Sequence, residues 1–189
     1  MKVNGPGQST LLLLEIVPIL NKLNIPYAIV GAFAASFYGA IRASLDADAI
    51  ISVDGGGDKL KDLLTQLRKE KFKVDFIRGD SEDPVTGVIN IQDTFHNRID
   101  LLLGIRGMGI EAFERTVQSS FMGAVVKFIG LEDFIAMKVF AGSPKDIQDI
   151  IGALQVSKGK INLLLLKKLT LNFGKSELKK LEAILKEHY

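Results

Sequence analysis

Asp46-Ala47-Asp48 places two carboxylates at the head of an apolar run that extends to Val53. Alternate side chains leave an extended strand on the same face, so both acids point one way and Leu45, Ala47 and Ala49 the other. Adjacent carboxylates repel, and the pair costs stability unless a cation shares it. Hard oxygen donors of this kind suit magnesium. A third acid, Asp100, lies within Arg98-Ile99-Asp100-Leu101-Leu102-Leu103, where an unpaired charge would be expensive. If the two strands are neighbours, Asp46, Asp48 and Asp100 converge, and three carboxylates can hold two metal ions. Asp-x-Asp alone is a weak signal, and Asp100 has a plainer alternative in an ion pair with Arg98 or Arg42.

Gly31-Ala32 follows a short apolar segment and opens a run of small residues. A helix beginning there would present backbone N–H groups and a positive dipole end to a phosphate, and glycine would let the phosphate come close. Tight strand–helix packing explains the same residues equally well. Other chemistries have little support. The chain has two histidines and no cysteine, which excludes thiol catalysis, iron–sulfur clusters and cysteine-ligated zinc. His96 reads as a surface residue, and His188 stands beside the end of the sequence. No Gly-x-x-x-x-Gly-Lys-Ser/Thr loop is present, and Gly55-Gly56-Gly57 reads as part of a flexible turn with Asp54.

The elements that must position these residues are legible from periodicity. Ser9 or Thr10 can cap a first helix with Leu13, Ile16, Val17, Leu20 and Leu23 on one face, and Pro18 should kink it or mark a late start. Strands are expected at 27–30, 45–53, 72–77, 87–91, 98–103 and 124–128. Helices are expected at 32–38, 109–117 and after Asp58, where Leu60, Leu63, Leu64 and Leu67 share a face. After Gly130 only helices follow, at 131–141, 144–154, 161–169 and 175–188. This reads as an α+β fold, a mixed sheet flanked by helices, with a core at 1–130 and a helical C-terminal annex at 131–189.

Composition agrees with a globular chain. Its 189 residues are 47% hydrophobic and 24% charged, enough to bury a core without disulfides. No stretch reaches the ~20 apolar residues of a membrane helix, and no signal-peptide pattern opens the sequence. A cytoplasmic protein with no membrane segment is expected. Charge is uneven: residues 158–189 carry eight lysines and three glutamates, net +5, against +2 for the whole chain, which leaves −3 on the rest. A basic tail can hold an anionic partner such as RNA, although a solvated helix face is the ordinary reading.

The string from Val30-Gly31-Ala32 through Gly39-Ala40-Ile41-Arg42-Ala43-Ser44-Leu45-Asp46-Ala47-Asp48 resembles the first motif of polymerase β-like nucleotidyltransferases. It looks most like the AbiEii-type branch found among toxin nucleotidyltransferases. Lys138, followed by Lys145-Asp146-Ile147-Gln148-Asp149, is similar to a late lysine and Lys-Asp-x-x-Asp segment of that branch. The resemblance spans residues 27–154 in order. It implies that Gly31 and Ala32 cradle nucleotide phosphates, with Arg42, Ser44, Lys138 and Asp146 also at the nucleotide. It further implies that Asp46, Asp48 and Asp100 ligate two Mg2+ ions, with Asp100 helping to deprotonate an acceptor hydroxyl. The implied substrate is an NTP, and the implied acceptor is a tRNA, a protein or a small molecule. A toxin-like protein would also have an antitoxin-like partner.

Two departures stand out. Ala32 replaces the glycine or serine usual there, removing a hydroxyl that could touch phosphate, and Ser143 stands where many members carry arginine. Two functions from different classes follow. One is an enzyme moving an NMP from an NTP to a hydroxyl. The other is a non-catalytic nucleotide- or partner-binding module of the same fold.

Overall fold

The computed structural model describes residues 2–53 and 57–189. Apart from Gly57, the turn expected at 54–57 lies outside them. The chain folds as helix α1 (Ser9–Lys22), strand β1 (Tyr27–Ile29), helix α2 (Gly31–Phe37), strand β2 (Asp46–Ile51) and helix α3 (Asp58–Lys69). Strands β3 (Lys73–Arg78), β4 (Val85–Gln92) and β5 (Arg98–Ile105) come next, then a 3-10 turn (Ile110–Phe113) and strands β6 (Val117–Phe121) and β7 (Ala124–Phe128). Helices α4 (Leu131–Ala141), α5 (Pro144–Val156), α6 (Leu163–Phe173) and α7 (Lys175–His188) close the chain.

The seven strands form one mixed sheet in the order β3-β4-β5-β2-β1-β7-β6. β2 pairs in parallel with β5, and β1 with β7. The remaining neighbours are antiparallel. On one face, Ala47, Ala49 and Ile51 of β2 lie beside Ile99, Leu101 and Leu103 of β5, all buried. Leu12, Leu13, Ile16 and Leu20 of α1 and Leu60, Leu63 and Leu67 of α3 belong to the same core. The opposite face of β2 and β5 carries Asp46, Asp48, Arg98 and Asp100, because residues opposite each other share a face.

Four expectations need correction. α1 starts at Ser9 and runs through Pro18, whose ring is exposed; the missing N–H therefore falls on the wetter side of the helix. Neither Ser9 nor Thr10 caps it. Ser9 Oγ instead donates to the Leu45 carbonyl at 2.5 Å and accepts from Arg98 N at 3.1 Å, tying the helix start to the heads of β2 and β5. Asp58 does not cap α3 either, since that place is taken by Gly57.

The helix expected at 109–117 is only the short 3-10 turn, and β6 follows it. Arg115 leaves that turn to form two 2.7 Å hydrogen bonds with Asp133, a buried acid of α4. This pulls the chain out of helical geometry and into a hairpin. Phe121 pairs with Ala124 across Met122-Gly123, and both linking residues have positive φ (50° and 81°), the geometry of a type I′ turn.

Helix α4 is buried on nearly every side, from Phe134 to Val139. Its apolar residues therefore do not follow an amphipathic stripe. Phe134 is fully buried against Tyr38. We expect Phe134→Ala to destabilise the protein by about 3–5 kcal/mol, the range for removing a buried phenyl ring. Urea denaturation of the two proteins measures the difference.

Candidate active site

The head of β2 carries the acids, and its surroundings explain their positions. α2 springs from β1 at Gly31, whose φ is +63°. A Cβ there would collide with the carboxylate of Asp48. Glycine is required at 31 on two counts, the left-handed backbone and the acid pressed against it. The group that comes close to this glycine is thus the protein's own carboxylate. Val30 N donates to the Asp48 carbonyl at 3.0 Å, fixing the register of the two strands at that point. Ala32 is buried in the short helix that follows. Ser44 lies exposed in the loop before β2.

Asp48 and Asp100 are direct register partners on β2 and β5. Asp100 accepts a 2.7 Å hydrogen bond from Asn90 of β4, its partner on the other side. The alternative pairing of Asp100 with Arg98 or Arg42 is not found among the described residues. Burial, then the negative charges of Asp100 and Asp46, push the Asp48 carboxyl up from 3.8 to about 6, against a smaller pull from Lys138 and Arg42. The three acids share a face and feel each other. They do not form a ready-made cage: among the described residues no three carboxylate or histidine side chains are grouped to hold a metal ion. Repulsion accounts for this, with Asp48 turned toward Gly31 and Asp100 tied to Asn90. Asp48 and Asp100, register partners on one face, are hard oxygen donors of the type a divalent cation takes.

Two cations stand near Asp48, and both are held by the second acid of the Lys-Asp-x-x-Asp segment, which the sequence leaves between shaping the nucleotide site and capping the helical annex. Asp149, on α5, is 1% exposed. It accepts from Arg42 Nε at 2.9 Å and Arg42 Nη2 at 3.2 Å, and it pairs with Lys138 Nζ at 2.8 Å. Lys138, on α4, also pairs with Asp146 at 2.6 Å. Asp146 is at the same time the third residue of α5 and half of a capping box with Ser143. Burial opposes its charge, but hydrogen bonds from Lys138 and Ser143 outweigh that and hold its carboxyl below the ordinary range. The Asp146-x-x-Asp149 spacing was the available signal, since residues three apart share a helix face.

A cleft of about 380 Å³ opens beside this network, lined by Gly31, Asp48 and Lys138 together with Leu102, Met137 and Phe140. Five of the predicted positions, Gly31, Arg42, Asp48, Lys138 and Asp146, therefore meet in one place. Ala32 and Ser44 are not among the residues lining the cleft. A larger cavity of about 440 Å³, beside Pro26, Ser52 and Lys59, is lined by no acid among the described residues.

No protein-family model matches the sequence, and no curated protein matches it. Solved structures do. The antibiotic-resistance factor ANT(2'')-Ia, determined in solution, superposes with a TM-score of 0.61 at 15% identity, covering 96% of this chain and 98% of that one. Its crystal structure in complex with adenylyl-2''-tobramycin gives 0.59 at 16% identity, covering 88% and 96%. JHP933 from Helicobacter pylori gives 0.50 at 15% identity, covering 95% and 93%. The chain has the polymerase β-like nucleotidyltransferase fold: a mixed sheet flanked by helices, with a helical C-terminal region.

Two outcomes follow from the electrostatics. An Asp raised to about 6 in the fold against 3.8 unfolded binds its proton more tightly when folded. Stability is therefore lost as pH rises from about 4 through 6. Without divalent ions, Asp48→Asn should then stabilise the protein at pH 7 by on the order of 2–3 kcal/mol. Mg2+ should raise the Tm of the wild type and leave that of the variant nearly unchanged, as calorimetry can show. Asp149→Ala should act oppositely. It removes the acid that Lys138 and Arg42 share, leaving Lys138 with Asp146 alone, and should cost about 1–3 kcal/mol in denaturant unfolding.

Proposed function

We propose that this protein is a magnesium-dependent nucleotidyltransferase of the AbiEii-type, toxin-like branch, moving an NMP from an NTP to a hydroxyl of an acceptor. One observation carries the reading. A half-buried, repelled Asp48 stands among Asp46, Asp100, Gly31 and a fixed Lys138, at the mouth of a cleft in a nucleotidyltransferase fold. In this reading residues 1–130 supply the acids and Arg42, and 131–189 supply Lys138 on α4 and the acids of α5 that hold both cations.

Asp46, Asp48 and Asp100 would hold Mg2+, which when bound supplies charge neutralisation for the triphosphate and a lowered pKa for the attacking hydroxyl. The remaining work falls to side chains of this chain. Lys138 has three N–H donors, and two face Asp146 and Asp149, which leaves one for a phosphate oxygen. Arg42, gripped through Nε and Nη2, retains further donors on the same terms. Both cations are thereby fixed before substrate arrives, so no reorganisation is needed as charge develops. Leu102, Met137 and Phe140 give the base or sugar an apolar wall. The acceptor oxygen attacks the α-phosphorus as the bond to the β-phosphate oxygen breaks and pyrophosphate leaves. Asp100 would take the hydroxyl proton.

The acceptor would be a tRNA, a protein or a small molecule. ANT(2'')-Ia was crystallised with adenylyl-2''-tobramycin, which bears on that protein rather than this one. The second reading, a non-catalytic module with an antitoxin-like partner, is favoured by the double pairing of Lys138 and by the absence of a hydroxyl at Ala32. Incubating the protein with each labelled NTP, Mg2+ and total RNA or lysate separates the two. Label should pass to an acceptor with wild type and fall at least 100-fold with Asp48→Asn, as for other groups acting on the transition state. Magnesium-dependent NTP binding without pyrophosphate release would establish the module instead.

A further inference from the structure

Beyond Asp100, on the side away from the nucleotide cleft, the sheet carries a set of polar side chains that the proposed chemistry does not use. Register places them in two rows on one face. Lys73, Gln92, Arg98 and Asp46 stand side by side across β3, β4, β5 and β2. Asp75, Asn90, Asp100 and Asp48 form the next row, two residues along each strand. The row after that is apolar, Ile77, Val88, Leu102 and Ile50, and Leu102 already lines the nucleotide cleft. Lys73, Asp75, Asn90, Gln92 and Arg98 line a separate depression of about 300 Å³. Asp100 thus stands between two cavities on one sheet face.

These side chains are available. Lys73, Asp75 and Arg98 are exposed, and among the described residues none of the three has an ion pair. Arg98 faces Asp46 in register yet does not bond it. A lysine and an arginine in one row, with an amide between them, offer donors to an anion, and the adjoining Asp100 says what that anion would belong to. An in-line transfer needs donor and acceptor on opposite sides of the reacting phosphorus. One cavity takes the triphosphate, and the other is left for the acceptor.

We propose that this depression is the acceptor subsite, and that it takes a hydroxyl compound carrying a phosphate. The inference rests on the nucleotidyltransferase reading above. Two residues along a strand span about 6.7 Å. That spacing sets the phosphate against Lys73 and Arg98 while the hydroxyl of the same sugar lies at Asp100. Asn90 and Gln92 supply amides for the remaining polar groups. Cations on Asp46, Asp48 and Asp100 would offset the acidic half, which leaves Asp75 outweighed by Lys73 and Arg98 in the depression itself. A nucleic-acid 3′ end and a free sugar phosphate offer the same chemistry. The basic tail is a weaker candidate for holding either, because Lys167 and Lys180 already pair with Glu182 and Glu177.

The test uses the full chain with Mg2+ and a non-hydrolysable NTP analogue, and reads binding of a labelled ten-nucleotide RNA and, separately, of ribose 5-phosphate. Lys73→Ala with Arg98→Ala should weaken the bound acceptor by roughly tenfold or more. For RNA it should also reduce the magnitude of the salt slope by about 0.7 for each phosphate no longer neutralised. The Tm rise given by the NTP analogue should be unchanged, which also shows that the variant folds. RNA binding alone identifies a chain end as the source, and binding of both identifies the sugar phosphate unit. Equal acceptor affinity in variant and wild type overturns the subsite. So does a loss that appears only when Lys167, Lys168, Lys179 and Lys180 are replaced by alanine. A wild type that binds the NTP analogue but neither acceptor overturns the subsite and spares the function proposed above. A wild type that does not bind the analogue overturns both.

Discussion

The parallel pairing of β2 with β5, in the register that sets Asp48 opposite Asp100, is the constraint on which the rest of the molecule depends. With a side-chain period of two, a slip of β2 by one residue would drive Asp46 and Asp48 into the space filled by Ala47 and Ala49. The apolar face therefore enforces the position of the acidic one. Ser9 adds a second lock by bonding to Leu45 and Arg98 at the heads of the same two strands. The site is held in place by the core beneath it, not by contacts among its own members, which repel.

That repulsion is balanced from a distance. Asp149 gathers Arg42 from the loop before β2 and Lys138 from α4, and both cations act on Asp48. Three carboxylates and two cations thus form one electrostatic unit that reaches from the sheet into the helices. Burial raises every interaction within it, because water screens little there.

Much of this was legible in the sequence. Strand periodicity located β2 and β5 and put Asp46 and Asp48 on one face; Asp100 joins that face because β5 lies beside β2. The ordered motif residues pointed to the fold that the solved structures share. What stayed hidden had physical causes. β6, Val117-Gln118-Ser119-Ser120-Phe121, is short and polar in its middle, so alternation is faint. Its turn uses Met122-Gly123 in place of the asparagine that usually marks positive φ. The end of the preceding helix was invisible because Arg115 answers to Asp133, eighteen residues away. Gly31 was readable as special, but periodicity does not tell that its near neighbour is Asp48. Asn90 and Gln92 gain meaning only from cross-strand register, which one strand's sequence does not contain.

The bond from Arg42 to Asp149 joins residues 107 apart in the chain, and its consequence is temporal. β2 must wait for β3 and β4 before it can meet β5, and its nearby cations must wait for α5. Long-range closures of this kind cost entropy before they return any contact. On a ribosome, Arg42 would emerge just ahead of the acids of β2, but Lys138 and the Asp149 that holds both cations would emerge well after them. A nascent chain would carry a core half-built and an acidic cluster not yet balanced. The charge balance around Asp48 is then completed only once α5 has joined the sheet.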